Sequence, residues 1–435
     1  MSSVGPSTYH RPEHAQGVDD RTRELIARRE RALGGAYRLF YRQPVEFVHG
    51  TGTKLYTADG QEFLDAYNNV PSVGHAHPRV TAAIAAQAAL LNTHTRYLHH
   101  AVIDYAERLL ATLPPALGHL MLTCTGSEAN DLALKVARDA TGHRGAIVTR
   151  YAYHGVTIAT GSLSPSLVGR DEVEPWVRLV PPPHPDPTAF VTGVRDAVAD
   201  LDAAGYGVAA LFVDTIFASE GVIPGGPADF LRPALDLVHA AGGMFIADEV
   251  QAGFGRLGHG MWGFERHGIA PDAVTFGKPA GNGMPIAGLA ARDAVIDGFG
   301  EHQRYFNTFG GTPVSVAAAN AVLDVLADED LIGNAARTGD RLAKDLGELM
   351  GEASAIGDVR AAGLYLGVDI VDEAGEPDEQ RAIAIVNGMR ERRVLLAASG
   401  ERNHTLKIRP PLPFDGADAD RLLTALSESL AATAR

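Results

Sequence analysis

Two short apolar runs in this chain each end at a single reactive group. Gly243-Met244-Phe245-Ile246-Ala247 stops at Asp248-Glu249-Val250-Gln251, and Asp272-Ala273-Val274-Thr275-Phe276 stops at Gly277-Lys278-Pro279. A brief uninterrupted apolar run between polar residues reads as a strand buried on both faces. In an open α/β sheet, ligands sit beyond the carboxyl ends of the strands, so Asp248 and Lys278 are expected to face one crevice. An amine held near apolar surface loses part of its preference for the ammonium form and can condense with an aldehyde. A buried carboxylate can hold a proton on a ring nitrogen.

Taken singly, the acid reads as a helix cap or ion-pair partner and the lysine as a solvated charge. Together they are the two protein groups that pyridoxal phosphate chemistry requires. On Asp248-Glu249-Val250-Gln251, Gly277-Lys278 and the turn Gly281-Asn282-Gly283, in that order, the sequence resembles the class III aminotransferases of fold type I. The resemblance implies an α/β protein. Its large domain would hold a mostly parallel, seven-stranded-type sheet flanked by helices, and a small α+β domain would be built from both termini. It also implies that Lys278 carries the cofactor as a Schiff base and acts as the base once released. Asp248 would keep the ring nitrogen protonated, and Gln251 would bond the phenolic oxygen.

The elements that must position these groups recur along the chain. Leu120-Met121-Leu122-Thr123-Cys124 is a strand pattern leading through Thr125-Gly126-Ser127-Glu128-Ala129-Asn130 into a helix marked by Leu132, Val136 and Ala140. Small residues at a helix start direct backbone N–H groups at one point and make an anion site, although Ser127 also reads as an ordinary cap. The resemblance places the cofactor phosphate on Gly126 and Ser127, with Glu128 turned away. It lays Tyr153, in Tyr151-Ala152-Tyr153-His154-Gly155, over the cofactor ring. Phe306-Asn307-Thr308-Phe309-Gly310-Gly311-Thr312-Pro313 is a second anion-site pattern. By resemblance Thr308 reaches the neighbouring subunit's phosphate, which implies a homodimer with shared active sites, alone or paired into a tetramer.

Substrate-facing residues are read in the same way. The resemblance brings Asn69 and Val70 to the pocket wall. In Leu406-Lys407-Ile408-Arg409-Pro410-Pro411, alternation puts Leu406 and Ile408 on one face and Lys407 and Arg409 on the other. Arg409 offers a planar fork to a carboxylate, and the resemblance favours it as the substrate receptor. Asp214 follows the apolar strand Val208–Val213 at a position where the family commonly carries Glu, which can pair with that arginine. The shorter acid puts the usual switching between two substrates in doubt; Glu220 lies close by.

Two other patterns point elsewhere. Gly253-Phe254-Gly255-Arg256-Leu257-Gly258 fits the dinucleotide fingerprint, but that fingerprint needs a helix directly after it, and Gly258-His259-Gly260-Met261-Trp262-Gly263 is too rich in glycine. His75 and His77 have the spacing of metal ligands but no third ligand nearby, and read as loop residues.

The 435 residues carry Lys+Arg 38 against Asp+Glu 53, a net charge of -15, with no basic run. Nucleic acid and anionic membranes are therefore excluded as expected partners. One cysteine, Cys124, and no membrane-length apolar segment point to the cytoplasm. The expected organisation is an N-terminal arm over 1–20, part of the small domain over 21–78, the cofactor domain over 79–328 and the C-terminal small domain over 329–435.

Within class III, the likeness is greatest to the branch of alanine–glyoxylate aminotransferase-like proteins and the phospholyases of phosphoethanolamine or phosphohydroxylysine. It rests on residues 125–134, on Gly357-Asp358-Val359-Arg360 and on Leu406–Pro411. The expected activity is amino transfer from an amino acid or amine to an oxo acid. The alternative is elimination of phosphate, ammonia or both from a phosphorylated amino compound. A nicotinamide oxidoreductase is a remoter third reading, resting on the glycine pattern.

Overall fold

The computed structural model describes residues 8–15, 17–226 and 230–433. Its main sheet has seven strands: β1 (His119–Thr123), β2 (Gly145–Thr149), β3 (Val177–Val180), β4 (Val208–Asp214), β5 (Met244–Asp248), β6 (Ala273–Phe276) and β7 (Ala287–Ala291). Their spatial order is β1-β7-β6-β5-β4-β2-β3. Only β7 runs against its neighbours, pairing antiparallel with both β1 and β6. The mostly parallel seven-stranded sheet expected from the sequence is thus present.

The central strands β4 and β5 are apolar up to their final aspartates because each feeds two cores. On β4, Leu211 and Val213 enter one hydrophobic cluster while Ala210 and Phe212 enter another, and on β5 Phe245 and Ala247 oppose Met244 and Ile246 in the same way. Both faces must then be covered by helices, as parallel sheets require. The helix Gly126–Thr141 supplies Leu132 and Val136 to one side, and the helices Pro187–Ala203 and Leu231–Ala240 supply Phe190, Val194 and Leu235 to the other.

Two smaller sheets complete the chain. His49–Thr51, Lys54–Tyr56 and Glu62–Asp65 pair antiparallel, and Val394–Leu395 joins the last of them in parallel, so this sheet draws on both ends of the chain. Ile356–Ala362, Tyr365–Ile370, Thr405–Ile408 and Ala397–Ser399 form a second antiparallel sheet. It carries Lys407 and Arg409 to the carboxyl edge of the main sheet.

The expected N-terminal arm differs in part. Residues 1–7 and 16 lie outside the described residues, but Thr8 and Val18 are buried. Tyr9 forms a β-bridge with Phe40 and stacks on it at 5.7 Å between ring centroids. Aromatic pairing thus holds this segment against the chain. The fingerprint-like glycines have a packing role: Gly255 and Gly258 take φ of 77° and 75°, with Ile332 and Ala336 where a side chain would project. Between them Arg256 is fully buried and donates to the carbonyls of Leu364 (3.1 Å) and Pro410 (2.6 Å), tying the loop to the C-terminal sheet. His75 bonds Asp65 at 2.7 Å, and His77 caps the helix Pro78–Ala88 and bonds Glu329 at 3.0 Å.

Candidate active site

Four strand ends of the main sheet meet at one cavity of about 320 Å³. After β1 come Gly126 and Ser127, after β2 Tyr153 and His154, at the end of β5 Asp248 and just past β6 Lys278, all on the cavity wall. The register pairs Asp248 with Asp214 on one side and with Thr275 on the other.

Asp248 is held from two directions. Its Oδ2 accepts from Asn130 Nδ2 at 2.8 Å and lies 2.7 Å from His154 Nδ1, while Oδ1 accepts from the Val250 amide at 3.1 Å. Asn130 is itself fixed by the Thr275 hydroxyl, which donates to its Oδ1 at 2.6 Å. A carboxylate so clamped cannot rotate away from a ring nitrogen presented to it.

Lys278 opens a short 3-10 turn, and its amine stands 5.9 Å from the centre of the Tyr153 ring. Burial, aided by the positive charge of Arg409, brings its pKa down to about 8. The amine is thus closer to its reactive free-base form than an ordinary lysine is at neutral pH. Burial, with the nearby Asp248 charge, raises the Tyr153 hydroxyl pKa and keeps it neutral.

The anion cup arises from a capping box. Thr125 caps the helix, and Glu128 Oε2 turns back to accept from the amides of Thr125 (3.0 Å) and Cys124 (2.8 Å). Glu128 thereby points away from the helix end, as expected. The first-turn amides of Gly126 and Ser127 have no partner within the helix and face the cavity. Gly155 closes the other side at φ 142°, where a Cβ would come within 2.8 Å of Ser127 Oγ. An anion cup, an acid, an amine and an aromatic face around one cavity fit the phosphate, ring nitrogen, aldehyde and ring of pyridoxal phosphate.

The remaining expected residues are placed as follows. Gln251 Oε1 accepts from Asn69 Nδ2 at 2.7 Å and from Arg409 Nη1, which joins both residues to the cavity wall. Val70 lines the cavity directly. Arg409 is buried, its guanidinium 4.5 Å over the Tyr67 ring and its Nε without a hydrogen-bond partner. Thr308 is exposed on the loop ahead of the helix Pro313–Asp328 and is not part of its own chain's cavity wall.

Asp214 does not reach Arg409. Its Oδ1 accepts from the Ile216 amide at 3.2 Å and its Oδ2 from the Ala218 amide at 3.0 Å, so the carboxyl closes its own turn. Burial, then the adjacent Asp248 charge, push its pKa up to about 7.

Sequence reasoning missed three members of the site. His154 and Asn130 stood inside motifs quoted for other residues, and their grip on Asp248 depends on strand register. Lys407 was noted only for sharing a face with Arg409; it is buried beside the site and has a pKa lowered to about 7, first by burial and then by Arg409.

A family model for class-III aminotransferases matches residues 41–430. The chain is 35% identical to the ethanolamine-phosphate phospho-lyase homolog 1 of Caenorhabditis elegans, covering 99% of this chain and 98% of that protein. It is 36% identical to the alanine–glyoxylate aminotransferase 2-like protein of Drosophila melanogaster, covering 94% and 87%. Among solved structures, it is similar to a phospholyase from Arthrobacter in complex with phosphoethanolamine, with 41% identity, a TM-score of 0.91 and coverage of 94% and 99%.

Proposed function

The chain belongs to the class-III aminotransferases, a pyridoxal-phosphate family, and on that footing we propose that it is a lyase that eliminates phosphate and ammonia from a small phosphorylated primary amine. The observation that carries this reading is Asp214. An aminotransferase alternates two substrates in one site, and an acid that pairs with the receptor arginine allows that alternation. Here the acid in that position is engaged by the Ile216 and Ala218 amides, and among the described residues Arg409 is held by Gln251 and the Tyr67 ring rather than by a carboxylate. A receptor cation left unpaired suits one anionic substrate, and the likeness to phospholyases supports phosphate as that anion. This departs from the amino transfer expected from the sequence.

The chain's own groups have defined parts. Gly126 and Ser127 would hold the cofactor phosphate, Tyr153 would cover its ring, and Gln251, which also fixes Arg409, would orient its phenolic oxygen. Bound there, pyridoxal phosphate supplies an electron sink for the pair left when a proton leaves the carbon bearing the substrate nitrogen. Lys278 Nζ would take that proton, and Asp248 would hold a proton on the ring nitrogen. Elimination would break the C–O bond on the neighbouring carbon, with phosphate leaving with the electron pair. With phosphoethanolamine, substrate and one water give acetaldehyde, ammonia and phosphate, with no net oxidation or reduction.

Thr308 would complete the partner's phosphate site in a homodimer. The flanking Phe306 and Phe309, 42% and 69% exposed, offer an apolar surface for that partner to cover. No helix among the described residues is long and apolar enough to cross a membrane, and the single cysteine suits a reducing compartment such as the cytoplasm. The reading is tested by supplying phosphoethanolamine to the cofactor-loaded protein without any oxo acid and measuring products. Equal amounts of phosphate, ammonia and acetaldehyde over many turnovers are expected. One equivalent of oxo product per site, with no phosphate, would instead mean amino transfer.

A further inference from the structure

A line of aromatic rings, with a guanidinium at each end, runs from the N-terminal segment to the receptor arginine. The Arg409 guanidinium lies 4.5 Å over the Tyr67 ring. Tyr67 meets Phe40 edge-to-face, 5.6 Å between centroids and 78° between planes, and Phe40 stacks on Tyr9 at 5.7 Å and 21°. Arg38 closes the outer end, 5.6 Å over the Tyr9 ring.

Backbone bonds hold the line at both ends. Tyr9 and Phe40 form a β-bridge, the His10 amide donates to the Leu39 carbonyl at 2.9 Å, and His10 Nδ1 lies 2.8 Å from the Arg42 carbonyl. At the inner end the Tyr67 amide donates to the fully buried Asp65 at 3.0 Å, and the Arg409 amide donates to the Ala66 carbonyl at 2.9 Å. What freedom is left belongs to the side chains. A cation is drawn to the face of an aromatic ring and repelled by its edge. Tyr67 therefore holds Arg409 only while its ring keeps its plane, and Phe40, packed across it, stops that ring from turning. Phe40 is itself 43% exposed, and Tyr9 covers it on one side.

We propose that Tyr9 and Phe40 are positioning residues for the receptor: by fixing the plane of Tyr67 they fix the fork of Arg409. The N-terminal segment thereby sets how tightly the site holds the charged end of its substrate. The inference rests on Arg409 as the substrate receptor in the function proposed above, but not on which anion it receives.

The test is labelling of the cofactor-loaded protein with phenylglyoxal, a dicarbonyl selective for arginine, quantified residue by residue by mass spectrometry. Arg409 and Arg256 are both buried, so each reacts through local opening. Arg256, held by the Leu364 and Pro410 carbonyls, reports general loosening. Phe40→Ala is expected to speed modification of Arg409 by about two- to thirtyfold, the range of one cation–π contact, with Arg256 unchanged. Phe40→Tyr, which keeps the ring, should label as wild type does. In a Tyr67→Leu background the link is already cut, so adding Phe40→Ala should change nothing further.

An unchanged Arg409 rate in Phe40→Ala, the same acceleration with and without Tyr67, or a rise at Arg256 in step with Arg409 would each overturn the proposal. If Phe40→Ala fails to take up cofactor, Tyr9→Ala decides in its place. A rise of about twofold or more at Arg409 is expected there, and none would overturn the proposal. Labelling needs neither substrate nor turnover, so this result and the product assay can fail separately. Where that assay gives turnover, Phe40→Ala should raise KM for phosphoethanolamine by a similar factor with kcat little changed.

Discussion

At the scale of single residues, reactivity here follows from burial. Lys278 is an amine whose pKa desolvation has brought from the usual 10.5 to about 8. Below about pH 8 it is ammonium and cannot attack an aldehyde; above it the free amine dominates. The rate at which cofactor-free protein acquires the visible band of lysine-bound pyridoxal phosphate should therefore climb with pH up to about 8 and then level off. A lysine of ordinary pKa would keep climbing by two further units, roughly to its model-peptide value. Asp248 owes its fixed orientation to Asn130 and His154, which converge on Oδ2, and to the Val250 amide, which bonds Oδ1.

At the scale of elements, a strand end followed by a small-residue helix start makes the anion cup. Ser127→Ala removes a hydroxyl from that cup without altering the helix cap, which Thr125 supplies. Losing one charge-assisted hydrogen bond should weaken cofactor retention by about ten- to a hundredfold, measured as release of pyridoxal phosphate on dilution. Much of this level was legible in the sequence. The runs 243–247 and 273–277, which end at Asp248 and Lys278, carry no charge and only one polar residue, Thr275, and the small residues from Thr125 to Ser127 mark a helix start, so strand, turn and helix could be read directly. Contacts across the sheet could not be read, because they depend on register. Asp248 beside Thr275, and Thr275 on Asn130, follow from which strands are neighbours. Alternation placed Lys407 on the face of Arg409, but only the docking of the C-terminal sheet shows that this face is buried. The glycines from Gly253 to Gly258 misled by composition alone, since a packed turn and a phosphate loop both need residues that tolerate positive φ.

At the scale of the whole molecule, the site lies where the C-terminal sheet, through Arg409, meets the edge of the main sheet. Arg256 fastens the two by its bonds to Leu364 and Pro410, so the receptor is positioned by the docking of the parts as much as by any local motif. The exposed Phe306 and Phe309 beside Thr308 extend the argument to a second copy. Phe309→Asp should shift the protein toward monomer in sedimentation and weaken cofactor retention with it, because each Thr308 would serve the other subunit's site. A variant that became monomeric and kept its cofactor as tightly as before would remove Thr308 from the account.

The central claim is that phosphate leaves while nitrogen is not stored on the cofactor. The most direct measurement is the visible absorbance of the cofactor during turnover of excess phosphoethanolamine without any oxo acid, with Lys278→Ala as the inactive reference. The account predicts that the lysine-bound band persists through many turnovers while phosphate accumulates. In Lys278→Ala, release should fall by about 10²-fold or more, the contribution of a positioned general base. Conversion of the whole cofactor to its aminated form within a single turnover, reversed only on adding an oxo acid, would contradict it.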